Sequence, residues 1–97
     1  MEMRKVFAVE ILDNENVLGC DLFEGITESK EKAIDMAETA FNAKRAKEQE
    51  TIQVLVSEFE ADEDLDSDEL ADAYYEARTN IETFDIALVD KDGVKIY

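Results

Sequence analysis

The spacing of hydrophobic positions along the chain switches between about two and about 3.6 residues, and each switch marks an element. From Lys5 to Leu12 apolar and polar residues alternate, with Phe7, Val9 and Ile11 on one side, the signature of a half-buried strand. Asp13-Asn14-Glu15-Asn16 is a polar turn. Val17 to Phe23 returns as a second strand with Leu18, Cys20 and Leu22 on one side, so the two read as a hairpin. Gly25 interrupts the alternation, and Thr27 or Ser29 is placed to cap a helix. The period then lengthens. Ala33, Ile34, Ala37, Ala40 and Phe41 fall on one stripe, which predicts a helix from about Glu28 to Lys47. Glu28, Glu31, Asp35 and Glu38 lie opposite that stripe, and Lys44, Arg45 and Lys47 gather where the helix dipole favours cations.

Thr51 to Phe59 is rich in β-branched residues and predicts an interior strand. Glu60 to Asp66 is charged enough to predict an exposed loop. Ser67 is a candidate N-cap, followed by a helix from Asp68 to about Arg78 that turns Leu70, Ala73, Tyr74 and Ala77 inward and Asp68, Asp72 and Glu76 outward. Asn80 is placed to end it. Ile81 to Val89 predicts a strand with Phe84, Ile86 and Leu88 on one face, and Asp90-Lys91-Asp92-Gly93 a turn into a short strand from Val94 to Tyr97. The order ββαβαββ, with one apolar stripe on each helix, predicts a single α+β domain over residues 1–97. The economical form is a two-layer sandwich, both helices packed on one face of a mixed or antiparallel sheet.

Composition changes this picture in one respect. Hydrophobic residues make up 45% of the 97 residues, an ordinary share for a globular domain, yet the formal net charge is −16 and there is no histidine. The stretch from Glu48 to Ala77 contains twelve carboxylates and not one Lys or Arg. Such a surface repels nucleic acid and anionic membranes and attracts basic partners. The N-terminal residues lack the apolar stretch of a signal peptide, no run approaches a membrane span, and the single Cys20 forms no internal disulfide. The expectation is a soluble, cytoplasmic protein.

The charge exceeds the magnitude of about 2–8 that solubility of a small domain needs. Duplex DNA carries about one charge per 1.7 Å, so 16 charges correspond to roughly 27 Å of duplex. A domain of this length has a diameter of about 30 Å. Adaptation to high salt is the other explanation of such a load, and seven lysines among ten basic residues fit it poorly. Carboxylates at i, i+4 repeat at about 5–6 Å on a helix. The residues expected to meet a basic partner are Glu58, Glu60, Asp62, Glu63, Asp64, Asp66, Asp68, Glu69, Asp72 and Glu76, with Tyr75 as an anchor at the edge of the stripe. Glu31, Asp35 and Glu38 form a second patch.

Other chemistries fit less well. Asp62-x-Asp64-x-Asp66 has the spacing that opens a calcium loop, but Ser67 stands where that loop needs glycine and Ala73 where it needs a bidentate glutamate. Without histidine or a glycine-rich phosphate loop, and with Cys20 on a strand, no catalytic constellation emerges. No cofactor or metal is implied, and the chain is expected to act by binding rather than catalysis.

In size, charge and lack of catalytic residues the chain is similar to small inhibitors that occupy nucleic-acid-binding sites: phage anti-restriction and anti-CRISPR proteins, and immunity proteins that neutralise nuclease toxins. The likeness is one of composition and transfers no residue roles. It implies a basic nucleic-acid-binding protein as partner, with no direct contact to nucleic acid. A different class of reading is a structural or assembly module, a homodimer joined through an exposed sheet edge such as the C-terminal hairpin, with the acids serving only solubility.

Overall fold

A computed structural model describes residues 2–13 and 22–97. Among these residues five antiparallel strands form one sheet in the order β2-β1-β3-β4-β5. They are β1 (Met3–Asp13), β2 (Leu22–Thr27), β3 (Ile52–Asp62), β4 (Phe84–Asp90) and β5 (Gly93–Ile96). Three helices complete the described residues: α1 (Lys30–Asn42), the single turn α2 (Ala46–Gln49) and α3 (Ser67–Thr79). The α+β sandwich expected from the element order is present, and the sheet is wholly antiparallel. Most of the expected second strand, Val17 to Asp21 with Leu18 and Cys20, lies outside the described residues.

The helices do not share one face. Phe7, Val9 and Ile11 of β1 pack with Val54 and Val56 of β3 under Ala33, Ala37 and Phe41 of α1. Val6 and Ala8 point the other way and pack with Phe59, Ala61, Tyr74 and Ala77, which brings α3 onto the opposite face. Neighbouring strand residues face opposite sides, so β1 is buried on both, with Val6, Phe7, Ala8, Val9, Glu10 and Ile11 all buried. The arrangement is therefore helix, sheet, helix. Strand β1 carries apolar residues in both phases, Val6 and Ala8 as well as Phe7, Val9 and Ile11, and one helix cannot cover both.

Local boundaries follow from the same pattern. Ser29 caps α1, its hydroxyl accepting from the Lys32 amide at 3.3 Å. The expected helix to Lys47 stops at Asn42, because after Phe41 the core-facing positions become Lys44, Arg45 and Glu48 and nothing remains to bury. Lys44, Arg45 and Lys47 consequently lie beyond the last turn of α1. There Gln49 donates through Nε2 to the carbonyls of Phe41 and Lys44, at 3.1 and 3.0 Å, and so serves the exposed helix end.

The expected loop from Glu60 to Asp66 is strand up to Asp62. Phe59 and Ala61 are buried and Glu60 between them is exposed, an alternation that the density of acids conceals. The N-cap of α3 is Asp66, not Ser67. Its carboxylate accepts from the Glu69 amide at 2.9 Å while the Glu69 side chain accepts from the Asp66 amide at 3.3 Å, a reciprocal capping box.

At the other end of α3, Asn80 is the C-cap and Ile81 takes the left-handed conformation, φ 59°. The Ile81 amide donates to Arg78 and the Glu82 amide to the Ala77 carbonyl, the paired bonds of a Schellman ending. A β-branched residue held there costs about 1–3 kcal/mol.

In β4 the alternation predicts Phe84, Ile86 and Leu88 on one face. A bulge opposite Val56/Ser57 shifts the register, so that Ala87 and Val89 are buried, Ile86 is half-buried against the α1 core and Phe84 is 67% exposed. The β4–β5 turn is Lys91-Asp92, with Asp90 opposite Gly93 and the glycine at φ 113°. No helix among the described residues is long and apolar enough to cross a membrane.

Candidate functional site

The sheet sorts the acidic residues by face. Asp68, Asp72 and Glu76 stand one turn apart on the exposed side of α3, and Glu63 and Asp64 are exposed in the turn that precedes it. Tyr75 borders this ridge with 47% of its surface exposed, its ring 5.7 Å from that of Tyr74. Arg78, in the last turn of α3, points its guanidinium at Glu10.

Other residues of the expected site are used locally or face elsewhere. Asp66 and Glu69 hold the capping box. An Asp62 carboxylate oxygen accepts from the Asp64 amide at 3.0 Å, fixing the turn. Glu58 and Glu60 sit opposite Phe7 and Lys5 in the β1–β3 register, on the α1 side of the sheet, and Glu58 lies 3.8 Å from the Lys5 ammonium. Glu31, Asp35 and Glu38 are on α1, so the second patch faces away from the first and no flat partner touches both.

Shape revises the charge density as well. The molecule measures 45 × 28 × 22 Å. A duplex 45 Å long carries about 26 charges, against the net 16 here. The protein is flat and extended, so the match to a duplex does not hold for the whole molecule. It is approached only locally, between Asp62 and Glu76, where eight carboxylates occur without a cation.

A buried polar cluster, which the hydrophobic pattern does not reveal, holds α3 in place. Glu10 is 1% exposed on the α3 side of β1. The Tyr74 hydroxyl lies 3.4 Å from one of its carboxylate oxygens, and Arg78 Nη1 donates to the other at 2.5 Å. Ser57 on β3, also buried, donates to Asp85 at 3.3 Å. Burial, followed by the nearby negative charge of Glu10, pushes the Tyr74 hydroxyl up to about 12. The signal that could have found this cluster is a glutamate at an inward-facing position of an otherwise apolar strand.

At the sheet's far edge, Lys95 donates to Asp90 at 2.9 Å and a second Asp90 oxygen accepts from the Asp92 amide. These bonds hold the Asp90 carboxyl below its usual range, the Lys95 contact contributing most, and raise the Lys95 ammonium above its own.

Among the described residues no group of three or more metal-ligating side chains converges. The arrangement offers a line of fixed negative charge on a rigid helix, backed by a clamp that sets the helix against the sheet. No protein-family model, curated protein or solved structure matches the chain.

Proposed function

We propose that this protein is a non-enzymatic binding protein whose acidic α3 ridge docks on a basic, nucleic-acid-binding protein, its carboxylates taking the place of backbone phosphates on Lys and Arg side chains. The reading includes inhibitors of the anti-restriction, anti-CRISPR and nuclease-immunity kinds. It is carried by the alignment of Asp68, Asp72 and Glu76 on one exposed helix face, bordered by Tyr75 and preceded by the exposed Glu63 and Asp64. Charge-assisted hydrogen bonds from guanidinium groups to carboxylates resemble those to phosphates in geometry and strength. A fixed anionic line also accelerates encounter with a basic surface.

The test is affinity capture of basic proteins at low salt, release at moderate salt, and competition of the captured protein with a duplex oligonucleotide. Replacing Asp68, Asp72 and Glu76 together by lysine abolishes capture and leaves the circular dichroism spectrum unchanged. Capture that survives the triple replacement sinks the reading.

A second reading, a homodimer with acids serving only solubility, draws support from β5. This edge strand is exposed throughout, Val94 and Ile96 among its residues. Lys91 and Lys95 match Asp90 and Asp92 in number there, so local self-repulsion is weak. Sedimentation at twice the 11.0 kDa chain mass, without any partner, favours it.

A further inference from the structure

We infer that the groove at the C-terminal end of α3 is the apolar half of the docking surface and takes a single hydrophobic side chain flanked by Lys or Arg in the partner. This rests on the docking reading above and deepens it.

Three observations converge. A groove of about 650 Å³ opens where β3 runs past the start of β4. Its most exposed apolar residues are Met3, Ile81 and Phe84, at 59%, 88% and 67%. Three large apolar side chains gathered at one opening form a cluster rather than the scattered singles of an ordinary surface.

Second, Ile81 contributes little to folding where it stands. It occupies the left-handed position of the helix ending, φ 59°, where glycine or asparagine is favoured. It is also almost wholly in solvent. Asn80, the residue suited to that conformation, sits one place earlier with a negative φ of −86°. A strained, exposed isoleucine is explained if its side chain is there to be covered.

Third, charge selects the occupant. Glu58, Glu60 and Glu82 line the same groove, with Lys5 the only cation among its described lining residues. Lys5 already lies within ion-pair distance of Glu58. An apolar opening edged by carboxylates is complementary to an apolar side chain with basic neighbours. It is not complementary to a second copy of this chain, whose net charge is −16. Ala77, Ile81 and Glu82 bring the C-terminal end of α3 to the groove, and Glu58 and Glu60 reach it from the α1 side of the sheet. An anchor residue in a pocket surrounded by charge pairs is the usual anatomy of a tight contact.

The experiment titrates the isotope-labelled full chain at low salt with two blocked peptides of equal charge, Lys-Lys-Leu-Lys-Lys and Lys-Lys-Ala-Lys-Lys. The leucine peptide is expected to bind about tenfold more tightly and to shift the amide signals of Ile81, Glu82 and Phe84. Ile81→Asn relieves the strained turn, so it is expected to raise Tm while removing the preference for leucine. Phe84→Thr, at an exposed strand position, removes the preference without the gain in Tm. Equal binding of both peptides, with shifts confined to Asp68–Glu76, overturns the groove and leaves the ridge standing. No binding of either peptide at low salt removes the docking reading itself. A lower Tm in Ile81→Asn makes Ile81 a structural residue and overturns the inference. A dimer in the absence of peptide that Ile81→Asn dissolves places a second copy in the groove and overturns it too.

Discussion

The Arg78 guanidinium stands 2.5 Å from a carboxylate oxygen of Glu10, 68 positions earlier in the chain, and so joins the last turn of α3 to the second strand of the sheet order. Glu10 is 1% exposed, whereas the Arg78 side chain is 40% exposed. Removing the arginine therefore takes this cation away from a buried carboxylate. Arg78→Met is expected to cost about 3 kcal/mol in urea unfolding, while Arg78→Met combined with Glu10→Met recovers most of that loss, because two apolar side chains replace a desolvated pair. A loss well under 1 kcal/mol for the single variant would show that α3 is held by its apolar contacts alone.

Tyr74 makes the same cluster sensitive to alkali. Its folded value, about 12, lies above the unfolded value of 10.0. The folded state thus keeps a proton that the unfolded chain loses, so the stabilisation is full below pH 10 and disappears as pH rises towards 12. The loss is about 2–3 kcal/mol across that window. Unfolding free energies of the parent and of Tyr74→Phe, measured at intervals from pH 9 to 12, should differ in slope, the phenylalanine variant being the flatter.

The identity of the α3 cap is open to a direct comparison. Asp66→Ala removes the acceptor of the Glu69 amide and is expected to lower stability by about 1 kcal/mol. Ser67→Ala should leave it within about 0.5 kcal/mol, because Ser67 is already inside the helix and exposed. Thermal melts of the two variants rank the candidates, and the opposite ranking would return the cap to Ser67.

Self-repulsion should be visible in the salt dependence of folding. With net charge −16, raising sodium chloride from 10 mM to 0.5 M shortens the screening length from about 30 Å to under 10 Å. Tm is expected to rise by several degrees, about 4–8 °C for each 1 kcal/mol of relieved repulsion. The Asp68, Asp72, Glu76 to lysine variant should show a shallower rise. A Tm that falls with salt would mean that surface ion pairs such as Lys5–Glu58 outweigh repulsion.

Several elements were readable from spacing. The stripe Ala33, Ala37, Phe41 marked α1, and Tyr74 and Ala77 marked the buried side of α3, because a helix that covers a sheet must show its apolar side at a period of about 3.6. The acidic ridge was equally legible, since a period of four places Asp68, Asp72 and Glu76 in line. Three features escaped for different reasons. The end of β3 was masked by acids on its exposed face. The facing of β4 depended on a bulge, a one-residue offset visible only against the partner strand. The burial of Glu10 depended on Arg78, which no local window connects to it.

Charge, its sign and its concentration between Glu48 and Ala77 belong to the chain in any conformation, as do the hydrophobic periods that call for strands and helices. These follow from covalent order and need no partner. The side of the sheet taken by each helix, the separation of the two acidic patches, the clamp on α3 and the groove beside Ile81 arise from pairing between distant segments. Register sets which side chains share a face, and a shift of one residue exchanges the two faces. Folding into a sheet with a helix on either side therefore divides one acidic composition into two surfaces, with an exposed apolar opening at the C-terminal end of α3.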